Sequence, residues 1–406
     1  MADPNERYID AARGNADGSH EATFFLADHY VLYDLARQRV ADGVHDVAGL
    51  GFGRPFSPVG PHQGLDAALK GQGRHARLGF QFRGVKYSRI DLISGLGDSG
   101  VSPLSEWALT GVSATGVDAA GNGDGKAFFF RGDQYTRWDW VSEKPDPGYP
   151  RPIAAIAGMV TPFAAGVDAA LDGFLFKGGH YLRIGFGPDG EPHVDGPVRT
   201  VQDDWPGLVE LLLAGRAKAQ VLVWIADAVR HLTVPFDPLF ATALATHFHV
   251  APTAGAAEKA RAIGLVQAQF ARVLAALGES SLRFRFRTAA ESMRLDHRVE
   301  APPAYFWDTN FNFTPHYAVR GPADRAELLL RESVRAVDPV AAQTPQWYVS
   351  DPEADRLHLP HTHDDPRWPA RYDRSPAAAA LHNPCAYAAF ARHLSLGRDE
   401  RTARQP

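Results

Sequence analysis

Four stretches decide the fold of the first half: FFLADHYVLYD at 24–34, FQFRGVKYSRID at 80–91, FFFRGDQYTRWD at 128–139 and FLFKGGHYLRIG at 174–185. Each reads as a β-hairpin. In the third, Phe128 and Phe130 alternate, as side chains on one face of a strand do. Arg131-Gly132-Asp133-Gln134 then supplies turn chemistry, with Gly132 free to take φ > 0. Tyr135 opens the return strand and alternates with Arg137 and Asp139. The tyrosines Tyr30, Tyr87, Tyr135 and Tyr181 are in register across the four copies. Outward from the hairpins, each is preceded by the triplet Asp-Ala-Ala, at 10–12, 66–68, 118–120 and 168–170, with spacings of 56, 52 and 50 residues. Two motifs in fixed order, four times over, make an internal repeat. One such unit cannot bury both faces of its sheet. Four stacked radially can, which is the β-propeller solution.

The rest of the composition sets bounds. The chain has 406 residues, 42 Lys+Arg against 47 Asp+Glu, a net charge of −5 and 45% hydrophobic residues. That length predicts two or three domains, and the hydrophobic fraction excludes disorder and collagen-like repeats. Charge is uneven: 19 basic and 27 acidic residues in 1–210 give −8, and 23 basic and 20 acidic in 211–406 give +3. Neither balance makes the clustered basic stripe of a nucleic-acid binder. The arginine-rich RFRFR run at 283–287 alternates with Leu282, Phe284 and Phe286 and reads as a strand with one charged face. A single cysteine among the 406 residues excludes an internal disulfide and fits a reducing compartment. No apolar leader follows Met1 and no run of about 18 apolar residues exists, so a cytoplasmic protein without membrane contact is expected.

The Asp-Ala-Ala opening and the F-F-[KR]-G-x-x-Y-x-R hairpin resemble the hemopexin-like repeat family over residues 1–210. The resemblance implies a four-bladed propeller whose Asp-Ala-Ala strands line an axial channel. By position, its channel residues are Asp10, Asp66, Asp118 and Asp168, and their main-chain carbonyls would suit a hard cation such as Ca²⁺ or Na⁺. Secreted family members join first and last blades by a disulfide. Here no cysteine precedes Cys385, so closure must rest on packing. Heme is not expected. His29 and His180 share one hairpin position, but Lys86 and Gln134 fill it in the other copies, as at an exposed turn. A polyamine or other small cation, or a docked protein, fits an acidic propeller better.

After Trp205-Pro206 the texture becomes helical. Residues 207–231 and 254–277 show helix-forming runs, and Pro322-Ala323-Asp324 starts another helix to about Val337. Segments 282–287 and 304–313 read as extended. Ser375-Pro376 and Asn383-Pro384 are each a capping residue followed by an N1 proline. A mostly helical α+β domain with a small sheet is expected over 211–396, then a flexible tail at 397–406.

Two stretches carry chemistry: RAELLLRESVRAVD at 325–338 and YDRSPAAAALHNPCAYAAFARHL at 372–394. Together they resemble zinc endopeptidases of the deuterolysin (aspzincin) type over roughly 240–394. The resemblance implies a zincin-like fold, with Leu381 to Ala391 matching the family's second helix and Arg331 to Arg335 standing where H-E-x-x-H belongs. Both ligand positions are arginine, which offers no lone pair to zinc, and the expected downstream zinc aspartate is not recognisable. No zinc is therefore expected at Arg331 and Arg335. Glu327, Arg331 and Arg335 lie at i, i+4 and i+8, so they could be a solvated ion-pair face. Alternatively, Arg331, Glu332 and Arg335 still line a cleft for a carboxylate or phosphate. In that cleft Glu332, His382 and Tyr372 would be the acid–base groups, and Arg331, Arg335, Asn383 and Tyr387 would bind substrate.

His358, His361 and His363, with Asp364 and Asp365, form a rival metal loop of a kind that suits Zn²⁺, Cu²⁺ or Ni²⁺. His247 and His249 alternate and read as ordinary strand or helix-end residues. Cys385 sits next to a helix N-terminus, which would lower its pKa, but its aromatic neighbours favour burial. The expectation is a binding protein built of a propeller and a pseudopeptidase, with a protein or small anion as partner. The alternatives are a zinc-independent cyclase or lyase step on a small anion in bacterial specialised metabolism, or a metalloenzyme using the histidine loop.

Overall fold

The computed structural model describes residues 6–16, 18–50, 64–232, 237–278, 283–295, 301–343 and 377–399. Tyr372 and His358, His361 and His363 lie outside them, as does 400–406 of the expected tail. The chain divides into two compact units. The first is Met1–Arg216 with Phe284–Ala301 and Phe313–Val319; the second is Ala217–Arg283, Pro302–Asn312 and Arg320–Pro406.

Up to residue 200 the described residues of the first unit form an all-β region of four sheets. Sheet one is β1 (Ala11–Gly14), β2 (Glu21–Leu26), β3 (His29–Asp34) and β4 (Arg39–Asp46). Sheet two is β5 (Ala67–Lys70), β6 (Leu78–Arg83), β7 (Lys86–Asp91) and β8 (Gly97–Pro103). Sheet three is β9 (Ala119–Gly123), β10 (Lys126–Arg131), β11 (Gln134–Asp139) and β12 (Lys144–Pro145), with β13 (Arg151–Pro152) also on β11. Sheet four is β14 (Ala169–Leu171), β15 (Phe174–Lys177), β16 (His180–Phe186) and β17 (Pro192–Val194), with β18 (Arg199–Thr200) also on β16. The register repeats as the sequence predicts: Phe25 faces Tyr30, Phe82 faces Tyr87, Phe130 faces Tyr135 and Phe176 faces Tyr181. Each two-residue turn opens on a residue with positive φ, Gly84, Gly132 or Gly178 in three copies and Ala27 in the first.

The repeated aspartate ties each innermost strand to its hairpin. Asp10 Oδ2 accepts from Ala27 N at 2.7 Å, Asp66 Oδ2 from Gly84 N at 2.6 Å, Asp118 Oδ2 from Gly132 N at 2.8 Å and Asp168 Oδ2 from Gly178 N at 2.7 Å. The alanines after it are fully buried, because a methyl group lets neighbouring inner strands approach. β1 lies against β5, β5 against β9, β9 against β14 and β14 against β1. Apolar clusters fill the space between sheets one and two, two and three, and three and four. Bulky residues wedge between sheets. Trp107 packs on Phe82 of sheet two and on Phe129 and Trp138 of sheet three. Trp205 does the same between Phe24 and Tyr33 of sheet one and Phe174 and Phe176 of sheet four. Each such aromatic pair is worth about 0.5–1.5 kcal/mol beyond its buried area.

The first unit continues into α1 (Val201–Asp204) and the start of α2 (Leu208–Leu232). Later segments rejoin it: Gln202 Nε2 donates to Pro315 O at 2.9 Å, and the ring of Phe286 lies against Gly207.

The second unit is helical, with α3 (Pro238–Phe248) and α4 (Ala256–Gly278). Between them and the next long helix in the chain fall β20 (Ala304–Trp307) and β21 (Asn310–Phe313), together with β19 (Arg283–Phe286), α5 (Ala289–Leu295) and α6 (Pro315–Ala318), which lie wholly or mostly in the first unit. Then come α7 (Pro322–Val337), α8 (Pro339–Gln343), α9 (Ala377–Ala380) and α10 (Pro384–Leu396). α7 packs on α4, α10 and β20, and α10 also packs on α3. Phe248, Phe270, Tyr387 and Phe390 form its aromatic centre. Asn383 caps α10 by accepting from Cys385 N at 3.0 Å, with Pro384 at the first helical position. No helix among the described residues is long and apolar enough to cross a membrane.

The repeated link makes a prediction of opposite signs. Asp168→Ala should cost about 1–3 kcal/mol, the loss of charge-assisted bonds to a turn. Ala27→Gly should gain about 1 kcal/mol, because Ala27 holds φ 53° in the left-handed region. Urea unfolding followed by tryptophan fluorescence reads both.

Candidate functional site

The aspartates expected to line a cation channel surround a cation that the chain itself supplies. Arg7 Nη2 donates to Asp10 O at 3.0 Å, to Asp118 O at 3.5 Å and to Asp168 O. Its Nε lies 3.2 Å from Asp10 Oδ1. Three of the four main-chain carbonyls therefore converge on one guanidinium. Burial pushes the Asp10 carboxyl above its ordinary range, and Arg7 partly counters that. Arg7 escaped sequence reasoning because it precedes the first repeat and no copy of it recurs. The only signal was a lone cation three residues before the first Asp-Ala-Ala.

The second candidate lies on α7. Glu332 is 1% exposed. One carboxylate oxygen lies 3.1 Å from Arg331 Nε; the other lies 3.5 Å from Arg335 Nε and accepts from Phe306 N of β20 at 3.1 Å. The structure thus brings Arg331, Glu332 and Arg335 together, with both arginine side chains largely buried. Burial opposes the Arg331 charge, but the carboxylates of Glu332 and Glu327 outweigh it and hold the guanidinium firmly protonated. Glu327 is not on the solvated face that helical spacing allowed as one of two readings. It is buried and bonds Arg392 of α10 at 2.6 Å, because α10 packs over that side of α7. Burial pushes the Cys385 thiol up, and Arg331 only partly offsets it, so the thiol stays protonated near neutrality.

The remaining predicted residues group elsewhere. His382 Nδ1 lies 3.1 Å from Asp338 Oδ2, with His382 half-exposed and Asp338 buried. Asp338 Oδ1 meanwhile accepts from Val340 N and Ala341 N at 2.9 and 3.2 Å and caps α8. Tyr387 is core: its hydroxyl donates to Leu381 O at 2.9 Å, and burial pushes its pKa well above the ordinary phenol range.

Comparison with known proteins bears on the first half. The hemopexin family model matches residues 117–159, the stretch that forms sheet three. Albumin-2 of Lathyrus sativus is 28% identical over 230 residues, which is 50% of this chain and 97% of the albumin. The first half of the chain carries a hemopexin-fold domain. Among solved structures, hemopexin-fold protein CP4 from cow pea is 23% identical with a TM-score of 0.42, over 50% of this chain and 97% of its own. The seed albumin LS24 from Lathyrus sativus is 25% identical with a TM-score of 0.44, over 52% and 99%.

The hemopexin-fold domain departs from expectation at one histidine. His29 is 3% exposed, not an open turn residue like His180. α2 folds over it at Gly215, where an added Cβ would meet His29 Cγ at 2.9 Å. Its ring nitrogens lie 2.7 Å from Asp28 Oδ1 and 3.1 Å from Asp46 Oδ1. Burial opposes protonation, but the carboxylates of Asp28 and Asp46 beside the ring outweigh it, and the pKa is raised. Glu210, at the start of α2, is 1% exposed. Burial raises its pKa to about 7, against backbone hydrogen bonds and one side-chain bond from Gln202 at 2.9 Å.

Both shifts have one sign for stability. A raised pKa means that the folded chain holds a proton the unfolded chain releases. That stability is full below the unfolded pKa and is lost as pH rises through the folded one. For Glu210 the window runs from 4.5 to about 7; for His29 it starts at 6.5. The melting temperature should therefore fall between pH 5 and 8. Glu210→Gln should remove most of the slope and gain up to about 3 kcal/mol at pH 8, read by thermal melts across that range.

Proposed function

We propose that the protein is a non-catalytic binding protein. Its hemopexin-fold half is a four-bladed propeller closed around Arg7. Its helical half is a zinc-peptidase framework whose metal helix has become an internal ion pair. The cyclic contacts of β1, β5, β9 and β14 and the Trp205 wedge between sheets four and one support closure of the ring by packing. The axial cation is the Arg7 guanidinium in place of Ca²⁺ or Na⁺, which turns binding outward to the sheet faces and loops, where a protein is the partner that fits.

The observation that carries the reading is the state of Glu332. A general base must present a free lone pair to a water at the reacting centre. The Glu332 carboxylate is buried and faces two guanidiniums and a strand N–H. Arg331 and Arg335, at the positions where histidines would hold zinc, repel a divalent ion.

With added Zn²⁺ the full chain should not hydrolyse an unfolded protein such as casein. Glu332→Ala should cost about 3–5 kcal/mol by leaving two buried cations without their partner, read by chemical denaturation. Zinc-dependent proteolysis that Glu332→Gln abolishes at an unchanged melting temperature would overturn the reading.

A further inference from the structure

The ends of two helices in the second unit bring three metal-ligating groups together. His247 is in the last turn of α3 and His393 in the last turn of α10. Asp399 follows Gly397, whose left-handed conformation turns the chain at the end of α10. His247 Nε2 lies 3.0 Å from His393 Nδ1, and the rings stand at 87°. One ligand atom from each of the three residues lies within 4.8 Å of the other two. Both histidines are buried and Asp399 is partly exposed.

We propose that His247, His393 and Asp399 bind one divalent transition-metal ion of the zinc class. Two imidazole nitrogens and a carboxylate oxygen are a donor set that such ions take, at about 2.0–2.2 Å per bond. Tetrahedral coordination at that length sets ligand atoms a little over 3 Å apart, so side-chain shifts of about 1 Å close the three groups on an ion. Without it, the 3.0 Å contact is a hydrogen bond between imidazoles, and the ion takes the place of the shared proton. The location favours a cation a second way. The C-terminal ends of α3 and α10 carry partial negative charge. Three protein ligands leave a fourth position to water. The site uses neither Arg331 nor Arg335, so it stands or falls apart from the loss of the peptidase ligands.

The test is Co²⁺ titration of the chelator-treated full chain, read by the visible absorption of nitrogen- and oxygen-ligated cobalt and by elemental analysis. One Co²⁺ per chain, displaced by Zn²⁺, is expected, with a rise in melting temperature on loading. Asp399→Asn, at a partly exposed position, should weaken uptake at least tenfold with the apo melting temperature unchanged. His247→Gln should remove the absorption. No uptake would overturn the proposal. So would uptake that both substitutions leave intact, or that only the combined replacement of His358, His361 and His363 by alanine removes.

Discussion

A carboxylate bonded to the N–H of a hairpin turn is the contact on which the first half is built. It occurs four times, at Asp10, Asp66, Asp118 and Asp168, always to the first turn residue. Such charge-assisted bonds are about twice as strong as neutral ones. Each fixes an inner strand against the tip of its own hairpin. The same aspartate's main-chain N–H donates to the phenylalanine carbonyl at 25, 82, 130 or 176, at 2.8–2.9 Å. With one carboxylate oxygen and the N–H committed to their own sheet, the aspartate carbonyl is left for a donor from elsewhere. In three copies that donor is Arg7. The site therefore follows from the repeat, although its occupant lies outside it.

The helical unit depends on buried charge instead. Glu327 with Arg392, and Glu332 with Arg331 and Arg335, join α7 to α10 and to β20. Buried ion pairs add little net stability compared with apolar packing, but breaking one side is expensive. That asymmetry makes α7 intolerant of single changes, while the aromatic cluster around Phe270 and Phe390 supplies the apolar burial. It also separates two roles that one helix cannot hold together. A carboxylate locked between guanidiniums holds helices in place; a carboxylate free to take a proton does not.

What was legible in the sequence had local causes. The hairpins, their tyrosine register and the positive-φ turn could be read because strand alternation and turn chemistry act over a dozen residues. The helices at 208–232 and 256–278 and the Asn383 cap were legible for the same reason. What failed depended on chain distant in sequence. The burial of His29 comes from α2, nearly two hundred residues later. The partner of Glu327 is 65 residues away on α10, where helical spacing had offered Arg331. Arg7 gains its role only when β1, β9 and β14 meet, which no period in the sequence announces. His247 stands at a helix end, as its sequence suggested, but its contact with His393, 146 residues away, belongs to no shared motif.

One choice of chemistry runs through both halves. Where carbonyls or a carboxylate converge, this chain answers with arginine: Arg7 at the aspartate carbonyls, Arg331 and Arg335 at Glu332. A guanidinium is permanently charged, weakly hydrated and forked. It meets several oxygens at once, and being covalently attached it cannot be lost to a chelator or to a change in metal supply. Its charge also bars a metal ion from the same place. Imidazole differs on each count, since its neutral form carries a lone pair and no charge. Where imidazoles converge with a carboxylate, at His247, His393 and Asp399, the donor atoms are of the kind that a metal ion takes. Which basic residue the fold brings to the oxygens therefore decides whether a metal ion can share the place: a guanidinium excludes it and a neutral imidazole can bind it.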